Sequence, residues 1–484
     1  MVSVKKNFIY SSILTISNYI FPLLTFPYVS RVLGVENMGI YNFVDSIVQY
    51  FTIFSMLGIS TIGIREIAKV RNDYYKLSRT YSSLLTLNLL ITLLAIIVLL
   101  VLSYLLPQLH SYQEMIFIGG ARLLFNALLV EWFYKGIENF RYITLRSIFV
   151  RFIYVAAVFI LVRSPKDYVI YFALTALTVA INAIINIIYS SKFARFSISH
   201  IDFRPYIKPL LILGVYQILT SMYTSFNVMY LGFVADDREV GYYTTSVKLF
   251  TIILSIFTAF TGVMLPRMSS LYAEDRLDDF KVMIKKSIDI LFIFVMPLIV
   301  ISEVFAPQII QIMAGNGYEG AILPMRIIMP LMLVIGYEQI LVIQILSPMK
   351  KDRSILINSI WGGIIALTLN IILIKTYFAV GSAVVWVISE LVVLTSAQYF
   401  VTKFIGFRFP FKRLVTDLFT MVPILIINIT ISISINKNFW SLLIGVFLTS
   451  LYYFVLTCFV RKNQLINGMI NSVFEKYNIR YKLP

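Results

Sequence analysis

Residues 82–106 read SSLLTLNLLITLLAIIVLLVLSYLL, and none of these 25 positions carries a charged side chain. An α-helix rises about 1.5 Å per residue, so a helix of this length can cross the roughly 30 Å hydrocarbon core of a bilayer. A continuous apolar stretch of 18 or more residues is the usual signature of a membrane span. The stretch therefore predicts a transmembrane helix.

The rest of the chain repeats this pattern. Of the 484 residues, 59% are hydrophobic and only 13% are charged, whereas about 25% are charged in soluble domains. The predicted fold class is an all-α polytopic membrane protein with about 14 transmembrane helices. The predicted spans are 8–29, 40–62, 82–106, 115–133, 143–162, 168–189, 207–234, 240–265, 288–313, 322–346, 354–374, 379–401, 414–433 and 439–459.

Lysine and arginine are distributed unevenly among the connections between spans. If both termini are cytoplasmic, and a cation within a turn or two of a span end is counted with the adjoining side, 32 of the 41 cations fall on the cytoplasmic side, six on the external side and three inside spans. Cytoplasmic loops normally carry this excess of positive charge, and one missed span would invert the pattern from that point on. The distribution therefore predicts cytoplasmic N- and C-termini.

Several functional classes are disfavoured. The net charge of +17 is spread over short runs between spans rather than clustered on one surface, so we expect no nucleic-acid partner. Cys458 is the only cysteine, and the two histidines, His110 and His200, are predicted on opposite sides of the membrane, which disfavours a metal site. A G-x-G-x-x-G match at 315–320 lies in an external turn, not between a strand and a helix. We predict no cofactor and no enzymatic activity.

Polar residues recur along the chain at a constant offset of 202 positions. The pattern predicts two parallel six-span copies, an N-lobe (1–200) and a C-lobe (201–403), followed by two further spans and a cytoplasmic tail (404–484). It favours a shared polar cavity, although hydrogen bonding between neighbouring helices is the alternative for any single residue. The matched pairs are Thr15 and Gln217, Asn18 and Thr220, Pro22 and Thr224, Thr25 and Asn227, Asn42 and Thr244, Ser46 and Lys248, and Gln49 and Thr251.

Charged residues inside spans are costly unless they face protein or water, so they indicate function. Arg122, Lys248 and Arg326 share one depth with Asp45 near the external surface, and Arg31 lies just above them at the end of the first span. These four cations predict a basic vestibule suited to a phosphate or pyrophosphate. Snorkelling to the interface is the alternative for Arg122 and Arg326. The substrate-binding candidates are Arg31, Arg122, Lys248, Arg326, Asn18, Gln49, Gln217 and Thr251, with Arg146 and Arg151 as inner-side candidates. Anchoring at the membrane interface is the alternative for these last two.

Carboxylates also occur inside the predicted spans. Asp45, Glu303 and Glu390 are candidates for binding H⁺ or Na⁺ and so for coupling transport to an ion gradient. Pairing with a neighbouring arginine is the alternative, and it is favoured for Glu338.

Three segments carry a family resemblance. They are Arg31-Val32-Leu33-Gly34 with Gly39-Ile40-Tyr41, Glu131-Trp132 with Gly136-Ile137-Glu138, and Gly317-Tyr318-Glu319 leading into Arg326. With these segments the chain resembles the polysaccharide repeat-unit flippases, the Wzx group, over essentially its whole length. That resemblance implies the multidrug/oligosaccharidyl-lipid/polysaccharide (MOP) superfamily, with a fold similar to MATE exporters and to the lipid II flippase MurJ.

The resemblance also implies a function. The substrate would be an undecaprenyl-pyrophosphate-linked oligosaccharide for O-antigen or capsule synthesis, moved across a bacterial plasma (inner) membrane by alternating access. Membrane lipids and the polysaccharide polymerase machinery are further expected partners, and the thirteenth and fourteenth helices would lie beside a lipid-tail groove. A MATE-type drug or ion antiporter and a membrane polysaccharide polymerase or ligase are the alternatives.

The topology can be tested by cysteine labelling in a Cys458→Ser background. Because of the cation distribution, we expect Asp237→Cys to react with an impermeant maleimide in intact cells. Arg71→Cys and Lys351→Cys should react only after permeabilisation. Labelling of Arg71→Cys in intact cells would contradict the predicted order of spans.

Overall fold

The computed structural model describes residues 4–197, 201–435 and 437–462, together with Asn467 and Asn471. Within these ranges the side chains of residues 4–9, 19, 216, 223 and 224 are not described, so the predicted polar residue Thr224 lies outside the described side chains, and His200 lies outside the described residues. Every regular element of the described part is a helix. The predicted all-α class is therefore confirmed.

The helices follow one another with short connections. The first ten are α1 (Val4–Met56), α2 (Ile59–Val70), α3 (Tyr74–Leu105), α4 (Pro107–His110), α5 (Gln113–Ala127), α6 (Glu131–Gly136), α7 (Phe140–Leu161), α8 (Tyr168–Ser190), α9 (Arg204–Thr224) and α10 (Phe226–Val234). The others are α11 (Asp237–Ala273), α12 (Leu277–Val304), α13 (Ala306–Met313), α14 (Ile322–Ile328), α15 (Leu331–Gln339), α16 (Asp352–Leu369), α17 (Lys375–Ile405), α18 (Phe411–Ser434) and α19 (Asn438–Val455). Short π-helical turns (Ile340–Leu346, Asn370–Ile374 and Leu456–Val460) and 3₁₀ turns (Pro165–Asp167 and Glu319–Ala321) complete the set.

By length and apolar composition, ten helical segments of the described chain could cross a membrane, or up to 12 if each bent pair is one span. Two segments, Tyr10–Val70 and Asp352–Ile405, are 61 and 54 residues long, well beyond the roughly 20 residues of one span. Each of them covers two of the predicted spans and is interrupted by a non-helical residue, Gly34 in one and Phe378 in the other. The polytopic architecture is confirmed, and the number fourteen remains a prediction.

Side chains cover backbone groups where helices are interrupted. The Gly58 N–H, at the start of α2, donates to Gln217 Oε1 at 3.1 Å. The Ala379 N–H, directly after the break at Phe378, donates to Glu239 Oε2 at 2.9 Å. An unpaired backbone group in an apolar environment costs several kcal/mol. These contacts therefore stabilise the interruptions.

Asp73 starts α3 in the connection between two spans. Its carboxylate accepts hydrogen bonds from the N–H groups of Lys76 and Tyr75, both at 3.1 Å. These bonds satisfy donors that the first turn of a helix leaves free. They also hold the pKa of Asp73 below its usual value, with the Lys76 backbone N–H as the largest cause.

Contacts divide the chain into two compact units. Unit 1 comprises Met1–Thr245 with Gly362–Trp386, and unit 2 comprises Ser246–Trp361 with Val387–Pro484. In unit 1, α1 packs on α3, α5 and α7, and α5 packs on α8. This division follows contacts rather than the sequence repeat, so the lobes predicted at 1–200 and 201–403 remain a proposal.

An ionic cluster ties together three helical segments of unit 2. Asp417 on α18 is 1% exposed and pairs with Arg413 and with Arg461, which follows the last π-helical turn. Arg413 also pairs with Asp289 on α12. Removing one partner of a buried ion pair costs about 3–5 kcal/mol, because the other charge stays buried. The cluster therefore fixes the C-terminal helices to α12.

Candidate functional site

The predicted residues Asp45 and Arg122 meet in unit 1. Arg122 Nη1 on α5 donates to Asp45 Oδ1 on α1 at 2.6 Å, and the two side chains are 13% and 33% exposed. A short, partly buried bond between two ions is a strong hydrogen bond. Arg122 is therefore already bound to one carboxylate in this structure. This is the arginine pairing that the sequence left open as an alternative for Asp45.

Aromatic rings surround this ion pair. The Arg122 guanidinium lies 5.6 Å from the centroid of the Phe172 ring. Tyr41 packs on Phe172 and on Tyr171, with ring centroids 5.9 and 4.7 Å apart. Aromatic faces attract cations, most strongly where water is excluded. The rings therefore hold the guanidinium in place beside Asp45.

A second group of predicted residues meets between α1 and α7. Arg151 Nη1 donates to Ser17 Oγ, and Nη2 donates to Asn18 Oδ1. Arg151 is half-buried and Asn18 is exposed. By the predicted spans, these residues lie in the cytoplasmic half of the membrane. The structure thus places Arg151, an inner-side candidate, in hydrogen-bond contact with Asn18, one of the predicted substrate-binding residues.

Arg146, one helical turn before Arg151, is 7% exposed. Its Nη2 donates to Glu131 Oε1 at 2.9 Å and to Ser147 Oγ at 2.8 Å. Its Nε and Nη1 are buried and have no hydrogen-bond partner in the described structure. Lys135 lies 3.5 Å from the other Glu131 oxygen. We call Lys135, Arg146, Arg151 and Glu131 the inner cluster: Lys135 and Arg146 form ion pairs with Glu131, and Arg151 interacts with it electrostatically.

Other predicted cations have different surroundings. Arg326, in unit 2, donates from Nε to the backbone carbonyl of Glu303 at 2.9 Å, so it caps the end of α12. Arg31 is exposed and donates to the carbonyl of Pro27 at 2.8 Å. Lys248 is half-buried in unit 2. The predicted vestibule of four cations remains a proposal. Two of the four, Arg31 and Arg326, bind backbone carbonyls.

The remaining predicted residues are placed as follows. Thr251 is exposed and donates to the Val247 carbonyl at 2.7 Å, and Gln49 is exposed on α1. Gln217, as described above, binds Gly58. No described group of three or more His, Cys, Asp or Glu side chains could hold a metal ion.

Within unit 2, the carboxylates predicted inside spans occupy two separate environments. Glu303 Oε1 is buried without a hydrogen-bond partner among the described residues, and Arg326 is its charged neighbour. Glu390 is 5% exposed and acts electrostatically on Glu338. Among the described ion pairs none joins Glu338 to the arginine partner that the sequence favoured, and its charged neighbour is the carboxylate of Glu390 on α17.

Residues at the repeat offset contact one another within unit 1. Asn42 Nδ2 donates to Thr244 Oγ1 at 3.0 Å, and the ion pair between Arg238 and Glu36 also joins positions 202 apart. A Cβ atom added to Gly39 would lie 1.6 Å from the Asp237 carbonyl oxygen, so only glycine fits this approach. Contacts between equivalent positions are what a twofold axis passing between them produces. We call this group the paired contact.

A cavity of about 330 Å³ lies beside the end of α9 in unit 1. It is bordered by Thr52 and Met56 on α1, by Gln217 and Ser221 on α9, and by Ser225 between α9 and α10. Here the predicted seventh span is bent by 56°. Neither proline nor glycine occurs at the bend, so a local run of hydroxyl side chains is its one signal in the sequence.

A family model described as polysaccharide biosynthesis protein matches residues 4–272, which is more than half of the chain. The chain belongs to this family. The resemblance to the polysaccharide repeat-unit flippases is therefore confirmed at the level of the family.

Two curated relatives carry the name "Putative O-antigen transporter". The relative from Escherichia coli (strain K12) is 25% identical over 403 residues, which cover 83% of this chain and 97% of that protein. The relative from Shigella dysenteriae is 25% identical over 273 residues, covering 55% of this chain and 68% of that protein.

Solved structures share the fold. The lipid II flippase MurJ in an inward closed conformation superimposes with a TM-score of 0.71 and 14% identity, covering 92% of this chain and 99% of MurJ. A MATE-family multidrug transporter of the MOP superfamily, inward-facing, gives a TM-score of 0.59 and 13% identity, covering 79% of this chain and 95% of that chain. The expected MurJ- and MATE-like fold is confirmed.

Proposed function

We propose that the protein is a flippase that moves an undecaprenyl-pyrophosphate-linked oligosaccharide from the inner to the outer leaflet of a bacterial plasma membrane. Membership of the polysaccharide biosynthesis family and the names of the two relatives support a role in transport for surface polysaccharide. The fold of the lipid II flippase supports a route for a lipid-linked substrate.

The observation that carries this proposal is the inner cluster. Arg151 is held by Ser17 and Asn18, and two buried nitrogen donors of Arg146, Nε and Nη1, have no partner in the described chain. Unpaired buried donors are rare and call for a ligand or another explanation. The N–H groups of a guanidinium match the geometry of the oxygens of a pyrophosphate, and hydrogen bonds between the two are stronger where water is excluded. The cluster would receive the pyrophosphate from the cytoplasm while the prenyl tail stays in lipid.

The paired contact suggests how the site is closed on the opposite face. By the predicted topology, Gly39 and Asp237 lie at the external ends of the second and eighth spans. Their close backbone approach leaves no room for a substrate there. We propose that this contact separates when the site opens to the outside, with Arg122 of unit 1 available to the departing pyrophosphate.

The first test concerns Arg151. Arg151→Gln removes a charge-assisted bond of about 1.5–3 kcal/mol, so we expect roughly ten- to a hundredfold weaker binding of prenyl pyrophosphate to purified protein in nanodiscs. Surface polysaccharide should fall in cells that depend on this protein. Arg151→Lys keeps the charge but loses the two-pronged arrangement of N–H donors. Its affinity should lie between those of the unaltered protein and Arg151→Gln.

Arg65→Gln is the matched control, because Arg65 is 56% exposed and pairs only with Glu66 on its own helix among the described ion pairs. It should bind and export as the unaltered protein does. Equal binding by Arg151→Gln and Arg65→Gln would remove the inner cluster from the substrate path.

The second test concerns the paired contact. Asn42→Cys combined with Thr244→Cys, in a Cys458→Ser background, replaces two side chains whose polar atoms are 3.0 Å apart. Oxidation or a short bifunctional thiol reagent should link them and stop export, and a reductant should restore it. Each single-cysteine variant, treated alike, provides the control. Unimpaired export by fully linked protein would show that this contact does not need to open.

We further propose that transport is coupled to a gradient of H⁺ or Na⁺. Glu303 is the strongest candidate, because its Oε1 is buried without a hydrogen-bond partner in the described structure. Asp45, by contrast, already binds Arg122 at 2.6 Å. A carboxylate inside a membrane protein that lacks such a partner can take up a proton or a sodium ion.

The coupling test measures flipping in proteoliposomes under an imposed pH gradient and, separately, a sodium gradient. Glu303→Gln should reduce the dependence on one of these gradients more strongly than it reduces substrate binding. Asp45→Asn and Glu390→Gln are the comparison variants. If Glu303→Gln keeps full gradient dependence and Asp45→Asn or Glu390→Gln loses it, the coupling role belongs to that residue.

A further inference from the structure

The cavity beside the bend between α9 and α10 differs in chemistry from the inner cluster. No lysine, arginine, aspartate or glutamate borders it. The polar residues that border it are Thr52, Thr220, Ser221, Ser225 and Gln217, and apolar groups supply most of its surface. At about 330 Å³ it is at the small end of the range for ligand pockets, roughly 300–1,000 Å³. This size suits one small polar group rather than a whole oligosaccharide.

The hydrogen-bond directions in the cavity restrict what it can bind. Thr52 Oγ1 donates a hydrogen bond to the Val48 carbonyl at 2.8 Å, and Ser221 Oγ donates one to the Ile218 carbonyl at 2.7 Å. A hydroxyl group has one proton, so these oxygens offer only lone pairs to a ligand. An ionised phosphate also offers only lone pairs and would be repelled by them. The ligand must therefore bring donors of its own.

The rest of the border points to a sugar. Gln217 Oε1 accepts from Gly58, so the amide nitrogen of Gln217 is its donor toward a ligand. Ile53 and Met56 add an apolar surface. A sugar ring carries hydroxyl groups that donate and accept, and a C–H face that packs on apolar groups. A neutral sugar therefore matches the hydroxyl acceptors, the amide donor and the apolar surface. An ionised phosphate has no donor to offer to the acceptors.

We infer that this cavity is a glycosyl subsite, which binds a neutral sugar ring of the lipid-linked substrate and sets which sugars are accepted. The inference rests on the proposed function. By the predicted spans, Thr52 and Gln217 each lie about ten residues from the cytoplasmic end of their helices, as Ser17 does. The sugar and the pyrophosphate would thus be recognised at one depth of unit 1.

The test compares binding of bare prenyl pyrophosphate with prenyl pyrophosphates carrying glucose, galactose, N-acetylglucosamine or N-acetylgalactosamine, on purified protein in nanodiscs. At least one glycosylated probe should bind the unaltered protein more tightly than the bare lipid. Thr52→Val combined with Ser221→Ala removes two acceptors with little change in shape. This variant should lose about tenfold in affinity for that probe and keep its affinity for the bare lipid.

Thr430→Val combined with Ser191→Ala is the matched control, because both hydroxyl groups donate to a carbonyl of their own helix and both residues are exposed elsewhere. It should leave every affinity unchanged. The inference is overturned if no glycosylated probe gains over the bare lipid, or if the gain survives in the Thr52→Val and Ser221→Ala variant. If the unaltered protein does not bind even bare prenyl pyrophosphate, the proposed function itself fails, and the subsite falls with it.

Discussion

Inside a bilayer no water is available to the backbone, so each peptide N–H and C=O must find its partner within the protein. The described chain meets this constraint by being helical nearly throughout. Where its helices break, side chains take the place of the missing backbone bonds. Gln217 accepts from Gly58, Glu239 accepts from Ala379, and Arg326 donates to the end of α12. Polar side chains therefore make irregular backbone possible in this protein.

This constraint explains how far the fold could be predicted. The all-α class and the presence of many spans follow from composition alone, because only helices satisfy the backbone of such apolar segments. Helix ends do not follow, since hydropathy measures the apolar width of a span rather than the length of its helix. The connection predicted at 266–287 is thus largely helical, with α11 continuing to Ala273 and α12 starting at Leu277. The break at Ser225 was missed because no proline or glycine marks it.

The same constraint limits what the sequence could say about the site. A polar residue in an apolar helix either faces a ligand or forms a hydrogen bond with another part of the chain. The sequence pattern is the same in both cases. Arg122 and Asp45 are 77 positions apart, so only packing decides that they pair. Gln217 and Arg326 were predicted to bind substrate, and they bind backbone groups. For Gln217 the two uses coexist, because one amide atom binds Gly58 and the side chain still borders a cavity.

Donors and acceptors are separated within unit 1. The inner cluster offers N–H donors from arginine and lysine, which attract an anion. The hydroxyl groups of Thr52 and Ser221 donate their hydrogen bonds to the backbone, so their oxygens offer only lone pairs, which repel an anion. A glycosyl pyrophosphate carries both kinds of group in one molecule. A cationic drug carries no phosphate for the arginines and would be repelled by their charge. The chemistry of unit 1 therefore supports the proposed glycosylated pyrophosphate rather than the substrate of a multidrug exporter, although the two classes of protein share one fold.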